Sequence, residues 1–218
     1  YRTGENCRGD QAALDREGAE LAAVTHGHPL GWMPAAALTH ILSRCLAAPE
    51  QGLRAIVREA RGAMAALYPG NEHLGTLLGI MDRAMALAER GGGDRENIRA
   101  LGEGWVAEET LGIAIYCALR YENDFSGGII AAVNHDGDSD STGAVTGNIL
   151  GAYLGERAID DKWMRDLELR DVIGEVADDL CRGCRMQEYS SCRDPAWERK
   201  YVQARHAQEE TQERNGEE

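Results

Sequence analysis

The 218-residue chain carries 37 acidic against 23 basic side chains, a formal net charge of −14, and 43% of its residues are hydrophobic. That is apolar material for one sizeable core, in a field that repels polyanions and offers no basic stripe to nucleic acid. No apolar run reaches the length of a bilayer span and no basic-then-apolar start resembles a secretory signal. The expectation is a cytoplasmic protein acting on a small molecule or another protein, with neither nucleic acid nor membrane as partner.

Ala, Leu, Glu and Arg are plentiful and alternating β-branched runs are almost absent, so the predicted fold class is all-α. Residues 11–24, "QAALDREGAELAAV", have helical spacing and run into "THGHPLGWMP", where two prolines and two glycines predict a connecting loop. Pro34 suits the first turn of a second helix, with Ala37, Leu38, Ile41, Leu42 and Cys45 on one face. Residues 50–66 and 71–90 give a third and fourth helix, the latter with a stripe of Leu74, Leu77, Leu78, Met81 and Met85. "GGGD" at 91–94 interrupts the chain, and "NIRALGEGW" predicts a short helical turn. "AEETLGIAIYCALRY" (107–121) is apolar nearly all round after an acidic first turn, as a central helix would be. "DFSGGIIAAV" is a short helix, and residues 167–186 a further amphipathic one. One helical domain over residues 1–202 and a charged, flexible tail over 203–218 is the expected organisation.

Six cysteines form no framework. Cys45 and Cys117 fall in apolar helical patterns and read as small core residues. "CRGC" at 181–184, with Cys192 beyond, has metal-like spacing, but the nearest histidine to complete a zinc site is His206 in the polar tail. Structural or redox-labile thiols are the better reading.

The stretch richest in chemistry is "NHDGDSDSTGAVTGNILGAYLG", residues 134–155. Gly143, Gly147, Gly151 and Gly155 lie along one line of a helix, each costing roughly 1 kcal/mol relative to alanine. A smooth groove admitting another backbone is the expected reason. Ahead of them stand Asp136, Asp138 and Asp140. One or two such residues cap a helix start; three exceed that need. A calcium loop fails, because its required Gly and Glu positions hold Ser141 and Gly147. A magnesium site fits: Asp138 and Asp140 point to one side, Ser141 adds a hydroxyl, and Asp136 and Asn134 orient ligands or waters from behind. On the residues alone, cap and magnesium site both stay open.

This stretch closely resembles the metal motif of the ADP-ribosylglycohydrolases, and "ELAAVTHGHPLGWMPAAALTHIL" and "AEETLGIAIYCALRYENDF" are similar to the same family in the same order. The resemblance spans residues 12–186. It implies an orthogonal multi-helix bundle with a binuclear magnesium centre, manganese in some members, at the floor of a cleft. It also implies hydrolysis of the glycosidic bond joining ADP-ribose to a protein side chain, often arginine. The expected partner is an ADP-ribosylated protein or a small ADP-ribosyl compound. Carried over, the metal ligands are Asp138, Asp140 and Ser141, while His26 lies in the loop that approaches substrate in relatives.

The chain departs from the family in lacking a Gly-Asp-Ala-Leu-Gly-like segment and a Thr-Asp-Asp triplet. Its Asp160-Asp161 and Asp178-Asp179 pairs follow the motif and are preceded by Ile and Ala. The resemblance therefore implies that a chain starting at Tyr1 lacks roughly the first third of a typical member. The catalytic residues are then expected upstream, and this chain alone is expected to be inactive and marginally stable. A non-catalytic ADP-ribose- or nucleotide-binding, or structural, relative is the alternative.

Overall fold

A computed structural model describes residues 10–182 and 194–202. Cys7, Cys184, Cys192, His206 and the tail 203–218 lie outside them. The chain divides into two compact units, Cys7–Leu167 and a second made of Glu168–Glu218 with Tyr1–Asn6. Among the described residues there is no strand, and the all-α fold is borne out. No described helix is long and apolar enough to cross a membrane.

The larger unit is built from α1 (Gln11–Ala23), α2 (Pro29–Ala47), α3 (Leu53–Leu67), α4 (Leu74–Arg90), α5 (Asp94–Arg99), α6 (Ala107–Arg120), α7 (Phe125–Val133), α8 (Ser139–Leu154) and the short α9 (Asp161–Met164). As the near-continuous apolar run predicts, α6 is the central helix: every residue from Thr110 to Leu119 is buried. Helices α2, α4, α7 and α8 pack against it, and α2 also touches α1, α3 and α8. The stripe expected on α4 is only partly buried: Leu77, Met81 and Met85 sit in the core, while Leu74 and Leu78 pack on its edge. Cys45 and Cys117 are core residues, as expected.

Two local expectations are corrected. "THGHPLGWMP" is not a loop throughout, because α2 begins at Pro29 and Pro34 lies inside it. The His28 ring accepts the Leu30 N–H at 3.2 Å and Pro29 takes the first helical turn, where its missing N–H costs nothing. Pro34 does forfeit a bond to the Leu30 carbonyl. The same turn buries Met33, Pro34, Ala36 and Ala37, and that burial outweighs the loss. The glycine line of α8 admits side chains, not another backbone. A Cβ at Gly143 would meet Val133 Cγ1 at 2.7 Å and one at Gly147 would meet Ile129 Cδ1 at 3.4 Å, both from α7. Nothing approaches Gly151, and Gly155 (φ +79°) ends the helix in the left-handed region.

A buried polar seam joins α1 to α2. Asp15 Oδ2 lies 2.8 Å from His40 Nδ1 with both side chains almost wholly buried. Gln11 donates to Asp15 at 2.7 Å and accepts from Ser43 at 2.8 Å. Most buried polar groups are partnered in this way, although His40 Nε2 has no hydrogen-bond partner.

In the second unit, α10 (Arg170–Arg182) carries Glu175 and Asp179, which the Lys200 ammonium reaches at 3.0 and 2.8 Å. Tyr201 donates its hydroxyl to Asp179 at 2.5 Å. Cys181 is exposed and free.

Candidate metal centre

Helix α7 stops at Val133, and the Asn134 amide donates back to the Ile130 carbonyl at 2.7 Å. Helix α8 starts five residues after Asn134, with Asp138 as its cap and the Ser141 N–H 3.5 Å from the Asp138 carboxylate. Between them, His135 organises the turn. Its Nδ1 accepts the Gly137 N–H at 3.1 Å, so the neutral ring carries its proton on Nε2, 2.9 Å from Thr142 Oγ1. The Thr142 hydroxyl in turn donates to the Ala132 carbonyl at 2.7 Å. Thr142 is fully buried.

The loop is also gripped from outside. Asp138 N–H donates to the Glu103 carbonyl at 2.7 Å, and a Cβ on Gly137 would fall 1.9 Å from that oxygen. Only glycine fits there. Glu103 is itself held by the first turn of α6: the Glu109 carboxylate accepts from the N–H groups of Glu103 and Gly104 at 3.0 and 3.1 Å. The Thr110 hydroxyl donates to the Gly104 carbonyl at 2.8 Å. The loop is thus anchored by segment 102–110.

Three aspartates end in two different settings. Asp136 turns to α5, receiving Arg95 Nη2 at 2.5 Å, Arg95 Nε at 3.2 Å and Arg99 Nη2 at 2.8 Å. Hydrogen bonds from Arg95 and then Arg99 hold its carboxyl down to about 2. Asp138 is lowered as well, for another reason: first its neighbour Asp140 and then the Ser141 hydroxyl favour its charged form. Asp138, Asp140 and Ser141 thus stand together in the cap and first turn of α8. Among the described residues no ion pair reaches Asp138 or Asp140.

Two carboxylates and a hydroxyl are hard oxygen donors of the kind magnesium takes, since that ion is held by one or two carboxylates and keeps several waters. Among the described residues no three His, Cys, Asp or Glu side chains converge on a cation position. The set is a fit for a hydrated, oxygen-liganded ion and a poor one for zinc.

Beside the loop stands an exposed apolar edge. Trp105, directly after Gly104, is 71% exposed, and Val106, Ile130 and Val133 are exposed as well. A shallow depression lined by Leu119–Asp124 lies at the opposite end of α6, about 20 Å away by helix rise. It is not part of this centre. His26 sits in the α1–α2 connection, 2.8 Å from the Thr25 hydroxyl through Nδ1, with its Cβ against Gly31. His135, Glu103, Glu109, Arg95 and Arg99 escaped the sequence reading. His135 alone carried a usable signal, standing inside the acidic motif.

A model of the ADP-ribosylglycohydrolase family matches residues 4–190, which takes in the acidic loop, the α8 glycines and the His26 connection. The chain belongs to the ADP-ribosylglycohydrolase family. No curated protein matches it. Membership accounts for the all-α architecture and sets the chemistry at the level of a hydrolase acting on ADP-ribosyl groups.

Proposed function

We propose that this family member hydrolyses the glycosidic bond between ADP-ribose and a protein side chain, arginine first, in a magnesium-dependent reaction. One observation supports the reading: Asp138, Asp140 and Ser141 stand together in the cap and first turn of α8, in a chain matched to the family over that region. Asp138 and Asp140 would hold the ion with the Ser141 hydroxyl, and Asp136 and Asn134 would stand behind them. Bound magnesium supplies Lewis acidity for ribose hydroxyls and for a water.

In the hydrolysis, water oxygen bonds to the anomeric carbon as the carbon–nitrogen bond breaks. The bonding pair leaves on the guanidine nitrogen, and a proton originating from water ends there. The chain's own contribution is electrostatic and geometric. The Asp138–Asp140 pair offers carboxylates that no ion pair among the described residues engages, on a loop fixed by Glu103, Glu109 and Thr142. The His26 connection is the proposed substrate-facing loop. Trp105 presents a flat apolar face on a backbone held by Thr110.

The test is release of ADP-ribose from ADP-ribosylarginine protein by the intact parent protein, with magnesium and then with EDTA. The proposal expects turnover with magnesium, none with EDTA, and loss in Asp138→Ala. Turnover indifferent to EDTA would contradict it. ADP-ribose binding without hydrolysis would favour the non-catalytic alternative.

A further inference from the structure

Helix α5 is six residues long and works on two sides. On its inner side Asp94 accepts both phenolic hydroxyls of α6 and its cap, Tyr116 at 2.6 Å and Tyr121 at 2.6 Å. Asn97 adds a donation to the Tyr116 oxygen at 3.1 Å and one to the Gly91 carbonyl at 3.0 Å. Tyr116 and Asn97 are buried, so this side is fixed to the core. On its outer side Arg95 and Arg99, one turn apart, both close on Asp136. Asp136 is two residues from Asp138 and shares its loop.

We propose that Arg95, Arg99 and Asp136 form a positioning clamp that sets the register of the Asp138–Asp140 pair toward its cation, with α5 as the strut tying that loop to the core. The inference rests on the magnesium reading above. Two features carry it. Arg95 reaches Asp136 through two nitrogens, and this paired fork fixes direction as well as distance. The clamp also takes up both oxygens of Asp136, the Oδ1 by Arg95 and the Oδ2 by Arg99, so this carboxylate is engaged away from the Asp138–Asp140 pair. Without the arginines a third carboxylate would be free beside Asp138 and Asp140, either repelling them or joining the ion in a different geometry. Asp136 is therefore a positioning residue and not a ligand.

The test is manganese binding to the intact protein, followed by electron paramagnetic resonance, in wild type, Asp136→Asn, Asp136→Glu and the Arg95→Met/Arg99→Met pair. Groups behind a metal ligand typically change affinity by about ten- to a hundredfold. Asp136→Asn and the arginine pair are each expected to weaken manganese by about tenfold or more. Combining them should add little, and Asp136→Glu should recover part of the loss. Thermal melts should stay within a degree or two of wild type, because exposed ion pairs contribute little to global stability. Under substrate, magnesium dependence should shift to higher concentration while kcat at saturating magnesium is kept. Unchanged manganese affinity in Asp136→Asn overturns the clamp. Loss of binding in Asp136→Asn with normal binding in the arginine pair also overturns it, since Asp136 would then be a ligand. A wild type that binds no manganese overturns the magnesium reading itself, and the clamp with it.

Discussion

Asp138 donates its main-chain N–H to the Glu103 carbonyl at 2.7 Å, across a gap that the neighbouring Gly137 leaves with no room for a side chain. The contact joins two segments that bracket α6 and α7, and it sets where the acidic loop begins. Gly137→Ala would put a methyl carbon 1.9 Å from the Glu103 oxygen. Overpacking of this kind costs about 2 kcal/mol, and here it also displaces the loop. Urea unfolding should show the loss, and metal affinity should fall with it. An alanine variant as stable as wild type would show that the close approach is not present in solution.

Asp15 and His40 form the one buried carboxyl–imidazole pair joining α1 to α2 among the described residues. Removing Asp15 leaves the buried His40 Nδ1 without its hydrogen-bond partner, at about 2 kcal/mol. Asp15→Ala should lower stability by that amount, while Asp15→Asn, which keeps an acceptor for the ring, should lose less. Chemical denaturation of the two variants separates these outcomes. Equal losses would mean that α1 needs the carboxylate itself, and that neither the retained volume nor the amide acceptor of asparagine replaces it.

Asp136 gives a pH dependence with a definite sign. Its folded-state value is lowered from 3.8 to about 2 by Arg95 and then Arg99. A carboxyl lowered in the folded state contributes stability that is present above pH 3.8 and lost as pH falls towards 2. The difference between wild type and Asp136→Asn should therefore shrink through that acidic window and be flat above it. The three side chains are more than half exposed, so salt should shrink the difference as well. A difference that grows on acidification would contradict the pairing.

The thiols should divide by burial. Cys45 and Cys117 are buried, and loss of water pushes the Cys45 thiol up to about 12 and the Cys117 thiol above its ordinary value. Cys181 is exposed. Brief alkylation of the native protein at pH 8, mapped by mass spectrometry, should label Cys181 and spare Cys45 and Cys117 until denaturant is added. Early labelling of Cys117 would mean that α6 is not the packed centre.

Much of the fold was legible because it is local. The three-four spacing on α4 and the apolar circumference of α6 need no knowledge of partners. Pro34 misled for a physical reason: composition counts its lost hydrogen bond but not the burial of Met33, Ala36 and Ala37 beside it. The α8 glycines were read as a single device, yet Gly143 and Gly147 admit Val133 and Ile129 while Gly155 ends the helix. At the centre, the grouping of Asp138, Asp140 and Ser141 at the head of α8 follows from spacing within four residues. The setting of Asp136 does not, because its partners Arg95 and Arg99 stand 41 and 37 residues earlier. The same distance in sequence hid Glu103, whose contribution is a carbonyl and not a side chain.

The most direct measurement is calorimetric titration of magnesium into the intact protein and into Asp138→Asn/Asp140→Asn. Saturable binding in the wild type that disappears in the double variant, with its melt preserved, is the expected result. Equal binding in the two proteins would contradict the claim that the head of α8 holds the ion.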